Sequence, residues 1–313
     1  MSTVAYLGPA GTFTETAARL IVGDDDDAIL APCGDVGDVL RTVERGDADR
    51  GVVPIENALE GSVTATLDAL AFDADVLIHA ELQIPVRLVV AGLPGTDLSK
   101  ATVVRSHPVA LSSCRRWLSA TLPDAERSVA ASTAKAAAEV AAADGDQVEV
   151  AVVNPLAAER YGLEVLARDI ADRSGNATRF VAVGNHLPEP TGWDKTSMVV
   201  FIESDRPGAL LKLLEIFAER DLNLTKIESR PTKSELGDYC FFLDVEGHLA
   251  DERVGDALSA VKRTQRDVKL LGSYRRSGAR RADAFERVRD DDQAYRDAAS
   301  WLASWRAQID AGQ

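Results

Sequence analysis

Along the first 183 residues, short apolar, β-branched runs alternate with amphipathic stretches, the pattern of strands followed by helices around a largely parallel sheet. The predicted strands are Val4 to Leu7, Ala28 to Pro32, Gly51 to Pro54, Val86 to Ala91, Ala101 to Arg105, Val148 to Val153, Val165 to Asp169 and Arg179 to Val183. Helix starts are marked by caps: Thr12 with Glu15 as a capping box, Asp35, Ser62, Ser132 before the alanine-rich run, and Asn154 followed by Pro155. Ser106 and His107 precede Pro108, which suits a first helical turn. In a parallel sheet such junctions gather at the carboxyl ends of the strands and present backbone N–H groups that suit an anion.

Gly184 to Asp194, with Pro188, Pro190 and Gly192, has the composition of a linker. A second pattern follows: strand Thr196 to Ile202, helix Gly208 to Arg220, strands Leu222 to Arg230 and Asp238 to Glu246, helix Asp251 to Arg263, strand Val268 to Gly272. That βαββαβ order is ferredoxin-like. After Tyr274 come Arg275, Arg276, Arg280 and Arg281, then a polar helical segment from about Asp291 to Ile309. The basic run reads as a solvated tail rather than a phosphate-binding arm. Trp301, Leu302 and Trp305 are expected to dock on the body or on a partner chain.

A length of 313 residues suits two domains, and 46% hydrophobic with 27% charged residues supports a packed core in each. The net charge of −15, with no basic cluster interleaved with aromatics before residue 262, argues against nucleic acid. The same charge repels small anions, so an anionic ligand needs local cations and helix N-termini. No stretch has the length and apolarity of a signal or a membrane span, and a cytoplasmic protein is expected. Cys33, Cys114 and Cys240 lie far apart and read as buried small hydrophobes, and the four histidines are scattered, so no metal is expected.

Four segments bear on chemistry. Gly8 to Glu15, GPAGTFTE, permits a tight turn with Thr12 and Thr14 hydroxyls nearby, and reads equally as a ligand loop or a structural turn. Val53 to Asn57, VPIEN, puts Glu56 and Asn57 at a strand mouth, where they can orient a hydroxyl or only satisfy backbone. Ser106 and His107 are adjacent, point apart and lack a G-x-S-x-G context, which disfavours a serine hydrolase. Asn176 to Phe180, NATRF, joins a hydroxyl, Thr178, to a cation, Arg179, able to grip a carboxylate.

GPAGTFTE, VPIEN with Gly61 and Ser62, SHPVAL, STAKAA, NPLAAERYGL and NATRF, in this order, resemble the motif series of prephenate dehydratases. Gly208, Ala209 and Leu210, with Asn223 to Pro231 (NLTKIESRP), are similar to the phenylalanine-binding segments of the ACT regulatory domain fused to those enzymes. The resemblance implies a two-lobed catalytic domain like type II periplasmic binding proteins over residues 1–184, with lobes at about 1–78 plus 176–184 and at 79–175. It implies an ACT domain over 195–275 and leaves 276–313 as a tail.

The implied reaction turns prephenate into phenylpyruvate with loss of water and carbon dioxide. The residues carried over are Thr178 as donor to the departing hydroxyl, Arg179 as carboxylate grip and Glu56 as candidate acid. Thr12, Asn57, Ser106, His107, Ser132, Thr133 and Phe180 are the implied substrate contacts. Gly208, Ala209, Leu210, Asn223, Leu224, Glu228, Ser229 and Arg230 are the implied phenylalanine site, in a homodimer or homotetramer. The family's serine after Glu-Asn and its glutamines after Ser-His-Pro are replaced here by Ala58, Val109 and Ser113. Their hydrogen bonds are expected from Ser112 or Ser113, and residues 109–113 stay outside the catalytic set. An arogenate dehydratase shares the chemistry; a solute-binding protein shares the lobes but not the fused sensor.

Overall fold

A computed structural model of the protein describes residues 2–145, 147–202, 206–233, 237–278 and 284–310. The chain divides into two units, Met1–Ala74 with Leu82–Val183, and Asp75–Glu81 with Gly184–Gln313.

The first unit contains two sheets built alike. β1 (Thr3–Leu7), α1 (Phe13–Val22), β2 (Ile29–Cys33), α2 (Val36–Glu44), β3 (Arg50–Asn57), β4 (Gly61–Ser62), α3 (Thr64–Asp68) and the end of β5 (Leu77–Pro85), whose first residues up to Glu81 belong to the second unit, make the first lobe. β6 (Val89–Gly92), β7 (Val103–Ser106), α4 (Pro108–Ser113), α5 (Arg115–Thr121), β8 (Glu126–Val129), α6 (Thr133–Ala141), β9 (Glu149–Val153), α7 (Pro155–Arg160) and β10 (Glu164–Ala167) make the second, and β11 (Ala177–Gly184) returns to the first.

The strand orders are β2-β1-β3-β11-β5 and β8-β7-β9-β6-β10. In both, the fourth strand adjoins a crossing between lobes and runs antiparallel to the third, β11 against β3 and β6 against β9. This is the expected two-lobed α/β architecture. Both faces of the second sheet are covered: Val150 and Val152 pack toward Leu118, while Ala151 and Val153 pack toward Ala134, Ala137 and Val140. That two-sided burial is why β9 reads as a continuous apolar run.

Three elements differ from the sequence expectation. β5 runs to Pro85 in the first sheet, so the first crossing lies at 86–88 rather than near 79, and the strand expected from Val86 starts at Val89. β5 carries a strand's alternation, Ile78, Ala80, Leu82 and Ile84 against His79, Glu81 and Gln83, which the sequence expectation omits, while the Glu126 and Arg127 of β8 look like loop. Ser62 does not cap a helix: it pairs with Glu56 in β4, and α3 starts behind Val63 without a side-chain cap. Thr12, Asp35, Ser132 and Asn154 do cap α1, α2, α6 and α7 through their side chains.

In the second unit, β12 (Asp194–Phe201), α8 (Ala209–Ala218), β13 (Leu224–Pro231), β14 (Tyr239–Glu246), α9 (Glu252–Thr264) and β15 (Asp267–Arg275) form the ferredoxin-like order β13-β14-β12-β15. Met198, Val200, Leu243 and Val245 pack on one sheet face against Leu213, Phe217, Val254 and Val261 of the helices. The other face holds a buried polar network. Lys195 Nζ lies 3.2 Å from Glu81 and 3.8 Å from Asp244. Ser197 donates to Asp244 over 2.6 Å and pairs with Tyr274 over 2.7 Å. Gly272, at φ +153°, passes so close to Ile78 that a Cβ would overlap its main chain.

α10 (Ala284–Asp310) contains the helical segment expected in the tail. Trp301 and Trp305 stack edge to face with centroids 6.5 Å apart and stay exposed with Leu302, so they do not dock on the chain's own body. Arg280 and Arg281 lie outside the described residues. Among the described residues no helix is long and apolar enough to cross a membrane.

Candidate functional site

The antiparallel pair β3 and β11 builds the centre of the site. Thr178 lies opposite Asn57, and Arg179 opposite Glu56. Cross-strand partners share a face and successive residues alternate, so Thr178 with Asn57 and Arg179 with Glu56 project to opposite faces of the sheet.

On the first face, Asn57 Oδ1 accepts the N–H groups of Leu59 and Glu60 at 2.9 and 3.2 Å. Those two backbone donors fix the amide orientation. Nδ2 must therefore donate, and it does so to Thr178 Oγ1 at 3.0 Å and to Asn176 Oδ1 at 3.2 Å. Thr178 thus receives a hydrogen bond from Asn57, and its own hydroxyl hydrogen is left for a ligand. On the second face, Arg179 is 8% exposed and its guanidinium lies 3.5 Å from Glu56. Arg179 and Glu56 thus pair with each other on the face opposite Thr178 and Asn57.

Beside Asn176 opens a cavity of about 580 Å³. Its walls come from Leu59 and Glu60 after β3, the two crossings, α4 with Val109, Ser112 and Ser113, and Arg115, Arg116 and Arg173. Residues 109–113, left out of the site by sequence, therefore help to line it. Ser112 and Ser113 do not replace the missing glutamines as donors, because both hydroxyls donate to Val109 O, at 2.9 and 2.8 Å.

The GPAGTFTE loop joins the lobes. Asn154 Nδ2 donates to Gly11 O at 3.0 Å, Tyr161 Oη to Ala10 O at 3.3 Å, and Arg160 to Glu15 at 3.0 Å. Gly11 sits at φ +89°, with Ala134, Ala157 and Tyr161 in contact distance of an added Cβ. Burial alone would raise the Glu15 pKa, but the Gly11 N–H, Arg19 and Arg160 outweigh it and hold the carboxyl below its ordinary range. Burial, with Glu15 nearby, pushes the Tyr6 phenol up to about 12. Thr12 serves the helix: it accepts from Glu15 N and donates to Leu7 O.

Other expected contacts separate into two groups. Ser106 is fully buried with its hydroxyl on Val152 O, and Phe180 is core, so neither lines a cleft. Ser132 caps Lys135 N, Thr133 begins α6, and the His107 ring is half-buried with no partner among the described residues. Sequence reading missed Asn154, Arg160 and Tyr161 as the tie between lobes and Asn176 as the partner of Asn57; only the proximity of Asn176 to Thr178 hinted at the latter.

In the second unit, Gly208 at φ +83° starts α8, followed by Ala209 and the part-exposed Leu210. Asn223 and Leu224 enter β13 at the far end of α8, because β13 runs parallel to β12, with Leu224 level with Thr196 and Arg230 level with Phe201. Glu228, Ser229 and Arg230 follow toward the Gly208 end of β13, with Glu228 3.1 Å from Lys226. Within one chain, Asn223 and Ala209 are thus separated by the length of α8, roughly 15 Å at 1.5 Å per residue.

A family model described as prephenate dehydratase matches residues 4–187, and one described as ACT domain matches residues 196–263. A prephenate dehydratase of Amycolatopsis methanolica is 43% identical over 307 residues, covering 97% of this chain and 98% of its own. One of Mycobacterium tuberculosis is 43% identical over 316 residues, covering 98% and 95%. The crystal structure of prephenate dehydratase from Arthrobacter aurescens in complex with L-Phe superposes with a TM-score of 0.88 at 41% identity, covering 97% of this chain and 99% of that one.

Proposed function

This chain belongs to the prephenate dehydratase family, and from that membership we propose a carbon–oxygen lyase that converts prephenate to phenylpyruvate under control by phenylalanine. In this reaction the bond from the ring to its carboxylate breaks and releases carbon dioxide. The freed electron pair makes the ring aromatic, and the C–O bond on the far side of the ring breaks. The departing hydroxide takes one proton and leaves as water.

The observation that carries this reading is the Asn57–Thr178 hydrogen bond next to Asn176 of the cavity wall, because Thr178 accepts in it and keeps its own hydroxyl hydrogen to donate. A threonine hydroxyl is too weak an acid to give up its proton alone. Thr178 strengthens the leaving group through a hydrogen bond and relays a proton taken from solvent, so it is the group for which a positioned acid–base role is proposed. Much of the driving force lies in aromatisation, and orientation of the substrate supplies the rest. No cofactor takes part in this scheme.

For regulation, the relative from Arthrobacter aurescens holds L-Phe, and the ACT match here supports the same effector. Asn223 and the Gly208–Leu210 turn lie at opposite ends of α8, so one phenylalanine meets both only where two copies pair end to end. The assembly proposed with this reading is a homodimer, or a homotetramer made from such dimers.

The test is product formation by the purified full-length protein, phenylpyruvate from prephenate and, in parallel, phenylalanine from arogenate, with phenylalanine added as effector to the prephenate reaction. Turnover of prephenate that responds to phenylalanine is expected. Preference for arogenate would shift the substrate to its aminated analogue, and no turnover of either would overturn the reading.

A further inference from the structure

We propose that Arg115 and Arg173 receive the side-chain carboxylate of the substrate in the cavity next to Thr178. This rests on the dehydratase reading and deepens it. The substrate is a dianion approaching a chain of net charge −15, so it needs positive charge at the site itself. Arg179 does not provide it, since it faces Glu56 on the opposite side of β11 from Thr178.

The cavity wall contains three other arginines. Arg116 is committed to Asp172: its backbone N–H donates to that carboxylate at 2.9 Å, and its guanidinium donates to Asp172 O at 2.8 Å. Burial would raise the Asp172 pKa, but the N–H groups of Arg116 and Trp117, with the nearby arginines, hold it low. Asp172 is therefore an ionised and satisfied part of the wall. Arg115 and Arg173 have no ion pair or hydrogen-bonded side-chain partner among the described residues. Glu60 is the remaining acid of the wall and lies exposed.

The neutral donors narrow in the same way. Ser112 and Ser113 donate to Val109 O. Asn176 is 8% exposed, its Oδ1 is held by Asn57, and its Nδ2 has no partner among the described residues. A carboxylate in the cavity thus meets two unpaired guanidinium groups and one buried amide, and Asn57 connects that amide to Thr178. Charge-assisted bonds to guanidinium are the strong kind and fix orientation as well as affinity.

The chemistry selects which carboxylate is held. The ring carboxylate leaves as neutral carbon dioxide, so a cation gripping it would stabilise the ground state and slow the reaction. The side-chain carboxylate persists unchanged into phenylpyruvate. Binding made equally in substrate, transition state and product appears in KM and in product affinity, not in kcat.

Turnover by the unaltered protein is measured first and reports on the dehydratase reading by itself. Phenylpyruvate is then titrated calorimetrically into the unaltered protein, Arg115→Ala, Arg173→Ala and the double variant, a readout that needs no turnover. Each single change should weaken phenylpyruvate binding by roughly 10- to 100-fold and raise KM for prephenate by the same factor, with kcat within about threefold. Arg115→Lys should restore only part, because an ammonium cannot bind bidentately. Unchanged phenylpyruvate affinity in the double variant, or a fall in kcat at constant KM, would overturn the proposal.

Discussion

Replacing Asn57 by aspartate changes almost no atoms and reverses one hydrogen bond. In the parent, Oδ1 accepts from Leu59 N and Glu60 N, and Nδ2 donates to Thr178 Oγ1 at 3.0 Å. A carboxylate keeps the first function and inverts the second: ionised near pH 7, it can only accept, so the Thr178 hydrogen turns toward it and away from the substrate. Asn176 must also flip its amide to donate to the new carboxylate, which withdraws Nδ2 from the cavity. Loss of one placed donor at a departing oxygen lowers kcat by about 10² to 10³, or roughly 2.7 to 4 kcal/mol in the barrier. The assay is phenylpyruvate formation at saturating prephenate, with melting curves as control; Asn57→Asp should melt within a few degrees of the parent because the turn at Leu59 and Glu60 keeps its acceptor. Thr178→Ala should lose a comparable factor and Thr178→Ser much less. If Asn57→Asp kept kcat within threefold while Thr178→Ala was crippled, the argument from hydrogen-bond direction would be wrong.

Three further expectations concern the scaffold. Lys195→Met leaves Glu81 and Asp244 without the cation between them, and breaking a buried pair in this way costs about 3–5 kcal/mol, so the unfolding midpoint of the unit carrying β12 in urea should fall clearly; a change under about 1 kcal/mol would show that the network adds little. Gly11→Ala forces an alanine to φ +89° against Tyr161 and Ala134, and should cost about 1–2 kcal/mol in urea titrations, against near-neutrality for Gly145→Ala, which has open space. Glu15 has a depressed folded pKa, so its stabilisation is present above its unfolded value and is lost as pH falls through the folded one. The melting-temperature gap between parent and Glu15→Gln should thus be wide at pH 7 and close progressively below about pH 4.5; a gap independent of pH would remove Glu15 ionisation from the account.

What the sequence reveals here, and what it withholds, follows from the range of each interaction. Caps are local, and four of the five side-chain caps expected at helix starts by residue type do the capping, at Thr12, Asp35, Ser132 and Asn154. The alternation of β5 is local and readable, but the pairing of its buried Glu81 with Lys195, a partner more than a hundred residues away, is something no window along the chain can show. The same limit applies to the site. NATRF puts Thr178 beside Arg179 in sequence, which suggested two groups acting on one ligand, yet adjacency in a strand means opposite faces. Once Asn57 is seen opposite Thr178 and Glu56 opposite Arg179, the motif separates into two pairs on opposite faces of the sheet. The anion-binding task proposed above falls to arginines from two distant segments, 115 at the start of α5 and 173 before β11, which line the same cavity. A motif held together by register thus identifies the reaction, while the charge that recruits its substrate is set by topology, where single-sequence reading has least purchase.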